Sequence, residues 1–322
     1  MNLHELQKYM ADQRIGGWLV WDFRGSNNVL ARLLPLPANH PTGRRFTTRR
    51  AALWIPMKGA PVLLAHGIDR GSFETHGCKL LSGEPVKIEG YLTWQELWQW
   101  VAGRLLEGGG KVAMEYSARG ELPVVGVVDA GTVEMVRSCG AEVVSSANLI
   151  QVCIACWTTG ALESHEWASR EVGRIKDEGF AFMRARLAAG TKVTERDVQL
   201  HILDLFKKAG LETPDGPIVG VNEHGADPHF EVSATDSAEI RKGDWILVDL
   251  WARRPGDQHV FSDICWVAYA APTSGAAVPE RHRKVFETVK SAQSAAVRLA
   301  QQRFAAKQSV QGWELEDRKS VV

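Results

Sequence analysis

The sequence predicts two domains, an α/β domain with a mixed sheet and flanking helices, followed by an α+β domain. The chain has 322 residues, whereas single domains most often have about 100–150. Its first half alternates short helix and strand patterns, and its second half places long helical patterns before its strand patterns. Because the pattern changes around residues 150–160, we expect the domains to be residues 1–152 and 153–322.

The first half begins with a helical pattern at residues 3–13, which Asn2 can cap, and a buried strand pattern at residues 17–21. Two short apolar runs follow, separated by a Lys-Gly turn that predicts a hairpin, at residues 51–56 and 62–66. Thr93 and Glu96 have the spacing of a capping box at the start of a helix. The remaining predicted elements are a strand at 111–115, a short helix near 124–130 and a strand at 142–145.

The second half predicts four helices and three strands. A helix is expected at residues 162–187, and Thr194 is positioned to cap a second helix that Gly210 ends. The predicted strands lie at 218–221, 245–251 and 260–268, and further helices at 280–304 and 314–322. These elements predict an antiparallel sheet that packs against helices.

Composition and charge exclude several classes of protein. The 38 basic and 38 acidic residues cancel, so the excess positive charge of a typical nucleic-acid binder is absent. No signal peptide is visible, and no apolar run approaches the roughly 20 residues that span a bilayer. Five scattered cysteines do not form a disulfide framework. We therefore expect a cytoplasmic protein that binds neither nucleic acid nor membrane.

Two aspartates lie in the last pair of apolar strands. With a turn centred on Gly256, Asp249 and Asp263 would be directly opposed, on one face of the hairpin. Opposed like charges destabilise a hairpin unless a cation lies between them or they share a proton. Aspartates that bridge a divalent metal ion satisfy the first condition. The alternative is that the register differs and each aspartate only ends a strand.

A polar loop with two histidines, residues 220–230, precedes this hairpin. Spacing alone is a weak indication, because a polar loop that contains histidine is most often only a loop. Its position before the aspartate pair makes His229 a candidate proton donor or substrate contact.

Three segments together carry a specific resemblance: Pro-His-Phe at 228–230, Lys-Gly-Asp-x-Ile-Leu-Val-Asp-Leu-Trp-Ala at 242–252 and Ser-Asp-Ile-Cys-Trp at 262–266. Their order resembles the signature of the pita-bread metallopeptidases, in the creatinase, Xaa-Pro aminopeptidase and proline dipeptidase branch. The first half is similar to the N-terminal domain of that branch. The resemblance covers essentially the whole chain and implies a creatinase-type N-terminal domain before a pita-bread domain.

The resemblance also implies roles for individual residues. Asp249 matches the first metal-ligand aspartate, Asp263 the second, and His229 the histidine that contacts the substrate. It implies two divalent metal ions (Mn, Co or Zn), a peptide substrate with an N-terminal Xaa-Pro, and a homodimer. The implied activity is that of a metal-dependent exopeptidase.

The same resemblance requires three more metal ligands, a histidine within His-x-x-Gly-His and two glutamates on later strands. No histidine follows His282, and the glutamates after Asp263 all fall in segments predicted to be helical: Glu280, Glu287, Glu314 and Glu316. We therefore expect an incomplete pita-bread domain, from a truncated gene or a fragment, that is inactive by itself. The alternatives are a creatinase-like C–N hydrolase that uses His229 without metal, and a non-catalytic partner subunit. An aspartic-protease-like carboxylate pair is more remote, since such pairs normally sit in matched loops.

Overall fold

The computed structural model describes residues 2–36, 45–75, 77–256 and 258–320. The chain forms two compact units, Met1–Thr158 and Thr159–Val322. Asp257, in the predicted hairpin turn, and residues 321–322, at the end of the last predicted helix, lie outside the described residues. No helix in the described segments is both long and apolar enough to cross a bilayer.

The first unit is a six-stranded mixed sheet in the strand order β4-β3-β2-β1-β5-β6. Its strands are β1 Gly17–Phe23, β2 Arg50–Pro56, β3 Val62–His66, β4 Lys87–Tyr91, β5 Lys111–Met114 and β6 Glu142–Ser145. Its α-helices are α1 Leu3–Asp12, α2 Asn28–Leu33, α3 Arg70–Glu74, α4 Trp94–Glu107, α5 Ala130–Ser138 and α6 Ala147–Cys153. Antiparallel pairs join β1 to β2 and β2 to β3, and the other pairs are parallel.

Side chains alternate between two cores on opposite faces of this sheet. Trp18 and Val20 of β1 belong to one core, whereas Leu19 and Trp21 belong to the other. Helices α1, α2 and α6 contribute to the first core, and α4 and α5 to the second. A strand buried on both faces explains why β1 lacks an apolar–polar alternation in the sequence. The predicted α/β class is confirmed.

Some predicted boundaries in this unit are wrong. The helix expected near residues 124–130 is a 3-10 turn at Pro123–Val125, and the α-helix begins only at Ala130. Asp129 caps that helix by accepting a hydrogen bond from the Thr132 N–H, so the polar cap decides the start rather than the apolar run before it. The structure also contains elements that the sequence patterns did not predict: α2, α3, α6 and β4.

The second unit packs long helices on one face of a three-stranded antiparallel sheet. Its strands are β7 Ile218–Val221, β8 Trp245–Ala252 and β9 Ser262–Tyr269, in the order β7-β8-β9. Its α-helices are α7 Thr159–Ala188, α8 Glu195–Ala209, α9 Glu280–Ala305 and α10 Gly312–Ser320. Thr194 and Asp197 form a capping box at α8, and Gly210 ends that helix at φ 68°, as expected for a left-handed C-cap.

The two faces of the second sheet differ in their environment. On β8, Ile246, Val248, Leu250 and Ala252 are buried in the core that α7 and α8 cover. The alternate residues Trp245, Leu247, Asp249 and Trp251 are only half-buried. The half-buried side, which includes Asp249, is called the open face below.

The register of the β8–β9 hairpin differs from the prediction by two residues. Asp249 pairs with Cys265, and Asp263 pairs with Trp251. The predicted direct opposition of the two aspartates is therefore wrong. Arg253 leaves the hairpin because its backbone exchanges hydrogen bonds with Glu212, at 2.8 and 3.0 Å, which leaves a longer loop before β9.

Helix α9 buries only Ala295, although it is 26 residues long. Large apolar side chains are exposed along it: Val285, Phe286, Val289, Val297 and Phe304. Helix α10 packs against α9. The four glutamates that follow Asp263 lie in these two helices, as predicted.

Candidate metal and substrate site

The two aspartates lie on the same face of the hairpin, each two residues from the residue directly opposite the other. Because side chains alternate along a strand, a register change of two residues leaves Asp249 and Asp263 on the open face. Diagonal neighbours of this kind have Cβ atoms about 7 Å apart. No described residue donates a hydrogen bond to either carboxylate. Both groups therefore remain available to a cation.

The electrostatics of the open face are those of neighbouring uncompensated acids. Burial and then the charge of Asp263 raise the pKa of Asp249. Burial and the charges of both aspartates raise the pKa of the Cys265 thiol to about 11. That thiol is therefore protonated at neutral pH in the metal-free chain.

The start of a loop lies on the same face. Residues 222–237, here called the histidine loop, follow β7 and include a 3-10 turn at His224–Ala226. A Cβ atom added at Gly225 would lie 3.2 Å from Cβ of Leu247, and one added at Gly220 would lie 2.7 Å from the Gly225 backbone nitrogen. Leu247 and Gly220 are paired across β7 and β8. The two glycines thus allow the loop backbone to lie directly on the sheet, two residues along β8 from Asp249.

His229 lies in this loop with an exposed side chain. Its backbone N–H donates to Oδ1 of Asp227 at 2.9 Å, and the next residue, Phe230, is buried. Because the buried Phe230 fixes the backbone, the exposed ring of His229 can reach a bound molecule while the backbone stays in place. The structure places the start of the histidine loop, at Gly225, on the face of the two aspartates, whereas Phe230 belongs to the core that α7 and α8 cover. It shows no contact of the His229 ring with either carboxylate.

Sequence reasoning missed Glu195, which is fully buried at the start of α8. Its carboxylate accepts hydrogen bonds from the backbone N–H groups of Val221 and Ala238, at 2.7 and 2.6 Å. Nδ1 of His224 lies 2.9 and 3.1 Å from the two carboxylate oxygens. An acidic residue in the first turn of a helix is usually a surface dipole partner, so the sequence gives no signal that this one is buried.

The acids of the open face do not fit a complete dinuclear metal centre. Each divalent ion needs about four to six ligands, and this face offers the carboxylates of Asp249 and Asp263. Within residues 2–36, 45–75, 77–256 and 258–320, no group of three or more His, Cys, Asp and Glu side chains is placed to hold an ion. Further ligands are needed before this pair could bind two ions tightly.

Comparison with known proteins finds a family match within the second unit. Residues 168–313 match the model of metallopeptidase family M24. The matched residues contain both aspartates and the histidine loop, and this match supports a peptidase function. No curated protein matches the chain.

Solved structures of dipeptidases and of an aminopeptidase share the fold of nearly the whole chain. A dipeptidase PepE from Mycobacterium ulcerans matches with a TM-score of 0.61 and 19% identity, over 92% of this chain and 69% of that one. A dipeptidase from Pyrococcus horikoshii matches with a TM-score of 0.54 and 22% identity, over 92% and 71% of the two chains.

An X-prolyl aminopeptidase from Caenorhabditis elegans, described as cytosolic with a di-nuclear active site, matches with a TM-score of 0.56 and 13% identity, over 91% of this chain and 44% of that one. At these identities the likeness establishes the fold.

Proposed function

We propose that this chain carries part of the active site of a metal-dependent exopeptidase of the Xaa-Pro aminopeptidase or proline dipeptidase type. Asp249 and Asp263 are the metal ligands in this proposal, and His229 contacts the peptide substrate. The supporting observation is the open face of β8 and β9, where two carboxylates that accept no hydrogen bond from any described residue share one face, and where the start of the histidine loop approaches Leu247 of β8. The expected cofactors are two divalent ions, Mn, Co or Zn, and the expected substrate is a peptide that begins with Xaa-Pro.

We also propose that the 322-residue polypeptide by itself hydrolyses no Xaa-Pro dipeptide. Two carboxylates cannot complete the coordination of two divalent ions. The glutamates that follow Asp263 cannot complete the set, because they lie on α9 and α10 instead of on strands beside the pair. A sparse site of this kind should bind one divalent ion weakly.

Calorimetric titration of the metal-free chain with Mn²⁺ and Zn²⁺ tests the ligand assignment. We expect weak binding that Asp249→Asn and Asp263→Asn each abolish. The matched control is Asp204→Asn, which removes an exposed carboxylate on α8 that pairs with Lys208 and should leave binding unchanged. Equal binding by all four proteins would refute the assignment.

Turnover is tested separately, with the purified chain, an Xaa-Pro dipeptide and added Mn²⁺, Co²⁺ or Zn²⁺. We expect no release of proline or of the N-terminal residue above that of the Asp249→Asn variant. Robust turnover that depends on metal and is lost in that variant would refute the proposed inactivity while supporting the peptidase assignment.

A second candidate is a non-catalytic partner subunit, which the exposed apolar side chains of α9 favour. Large contiguous patches of exposed apolar surface often mark interaction sites. Sedimentation analysis distinguishes this role, because a mass that rises with concentration, together with no metal binding, would favour it. The predicted homodimer and the predicted cytoplasmic location stay predictions, as does the creatinase-like alternative.

A further inference from the structure

Glu195 connects both ends of the histidine loop. One carboxylate oxygen accepts from the N–H of Val221, directly before the loop, and the other from the N–H of Ala238, directly after it, at 2.7 and 2.6 Å. Both oxygens also lie within 3.1 Å of Nδ1 of His224, inside the loop. The carboxylate is fully buried, so each of these hydrogen bonds compensates part of its lost hydration.

The bond to His224 fixes the state of the imidazole ring. Both oxygens of Glu195 already accept from backbone N–H groups, so we assign Nδ1–H of His224 as the donor of the bond to this carboxylate. In its neutral form, His224 therefore carries its hydrogen on Nδ1, and Nε2 is free of it. The closest carboxylate to Nε2 is that of Asp236, at 4.0 Å, which is beyond hydrogen-bond distance.

The His224 ring in turn supports the segment that carries His229. It stacks on the ring of Phe230, with centroids 4.0 Å apart and planes 26° apart. Phe230 is only 6% exposed and follows His229 directly in the chain. A continuous series of contacts therefore joins the buried carboxylate of Glu195 to the ring of His224, and that ring to Phe230, the residue directly after His229.

We propose that Glu195 and His224 form a positioning pair that holds the histidine loop in place and sets the orientation of His229. This inference rests on the proposed role of His229 as the substrate contact. In this proposal the pair acts through His229 and not on the substrate directly. A carboxylate that orients an imidazole by accepting from Nδ1 is a common supporting arrangement around functional histidines.

Two spectroscopic readouts test the pair in the full chain without requiring activity. Long-range ¹H–¹⁵N correlation of ¹⁵N-histidine-labelled protein reports which ring nitrogen of each histidine carries the hydrogen. We expect neutral His224 to show the Nδ1–H form and to lose it in Glu195→Gln, with a simultaneous shift of the His229 ring signals. Amide exchange in residues 222–237 should accelerate by about ten-fold or more, because the loop opens locally while the core stays folded.

A second variant separates the loss of the Glu195–His224 hydrogen bond from a general loss of folding. His224→Phe keeps a ring to stack on Phe230 and leaves the backbone bonds of Glu195 in place, so only the bond between the pair is lost. We expect faster loop exchange and shifted His229 signals, with exchange in β8 unchanged. Asp204→Asn, an exposed change on the same helix, should reproduce the wild-type spectra.

An Nε2–H form of His224 in the wild-type chain would overturn the proposal. Unaltered His229 signals and loop exchange in His224→Phe would overturn it as well. Failure of the proposed function has a different signature. If Mn²⁺ or Zn²⁺ binding is unchanged in Asp249→Asn, the proposed metal site is wrong. The tautomer and exchange results for Glu195 and His224 would still hold in that case.

Discussion

Replacement of Glu115 by Gln should make the stability of the first unit less dependent on pH. Glu115 follows β5 and is fully buried. It accepts hydrogen bonds from Nε1 of Trp18 at 2.7 Å, Nδ2 of Asn27 at 2.7 Å and Oγ of Ser146 at 3.0 Å. Burial nevertheless outweighs these donors and raises the pKa of Glu115 from 4.5 to about 6.

The sign and size of the effect follow from proton linkage. An acid whose pKa is raised by folding contributes stability below its unfolded pKa, and that contribution is lost as the pH rises through the folded pKa. The two pKa values differ by about 1.5, which at 1.36 kcal/mol for each pKa unit corresponds to about 2 kcal/mol. We therefore expect the unfolding free energy of the first unit to decrease by about 2 kcal/mol between pH 4.5 and pH 7.5 through this group.

Urea unfolding at several pH values, with hydrogen-exchange mass spectrometry on peptides from β1 and β5, isolates the first unit. The Glu115→Gln variant should be less stable at low pH, because the amide cannot satisfy all three donors, at a cost of about 1–3 kcal/mol. Its stability should fall less steeply with pH than that of the wild type. Glu142→Gln, an exposed change on the neighbouring strand β6, serves as the control. A Glu115→Gln profile as steep as the wild-type profile would refute the reasoning.

Three further predictions concern the second unit. Gly220→Ala should destabilise the histidine loop by about 1–3 kcal/mol, because the new Cβ would lie 2.7 Å from loop backbone. Faster amide exchange in the loop checks this prediction. The control Gly173→Ala, where nothing lies within 4 Å of the added Cβ, should leave loop exchange unchanged. Asp263→Asn should lower the pKa of Cys265 from about 11, since one of two neighbouring negative charges is removed. Alkylation of Cys265, followed by peptide mapping at several pH values, should then have its midpoint at a lower pH. An unchanged midpoint of the alkylation profile would contradict the charge effect. Val289→Lys should reduce binding of a hydrophobic dye to the chain, because this side chain is 64% exposed on α9; unchanged dye fluorescence would show that α9 is not the surface the dye detects.

Local signals predicted much of the fold. The predicted capping box at Thr93, the N-cap at Thr194 and the terminating Gly210 are all present, because these motifs depend on hydrogen bonds within a few residues of each other. The missed helices α2, α3 and α6 have only five to seven residues. Segments this short carry too few turns for a periodic pattern, and tertiary packing decides their conformation.

The site was predicted in part, and the limits have physical causes. The shared face of Asp249 and Asp263 follows from strand alternation alone. Their direct opposition depended on the turn, and the backbone pairing of Arg253 with Glu212 changed the turn. That pairing joins segments far apart in sequence, so no local pattern reports it. The burial of Glu195 has the same cause, since its partners come from the two ends of the histidine loop.

The alternation of side chains along β8 and β9 has a consequence for how such a site tolerates insertions and deletions during evolution. A change of two residues in the hairpin loop that shifts the pairing by two keeps both aspartates on one side of the sheet and alters only their separation. A shift of one residue would move one of them to the face covered by α7 and α8, where Val248 and Leu250 are buried. Length variation in this loop should therefore survive selection in steps of two, or where a bulge absorbs the odd residue.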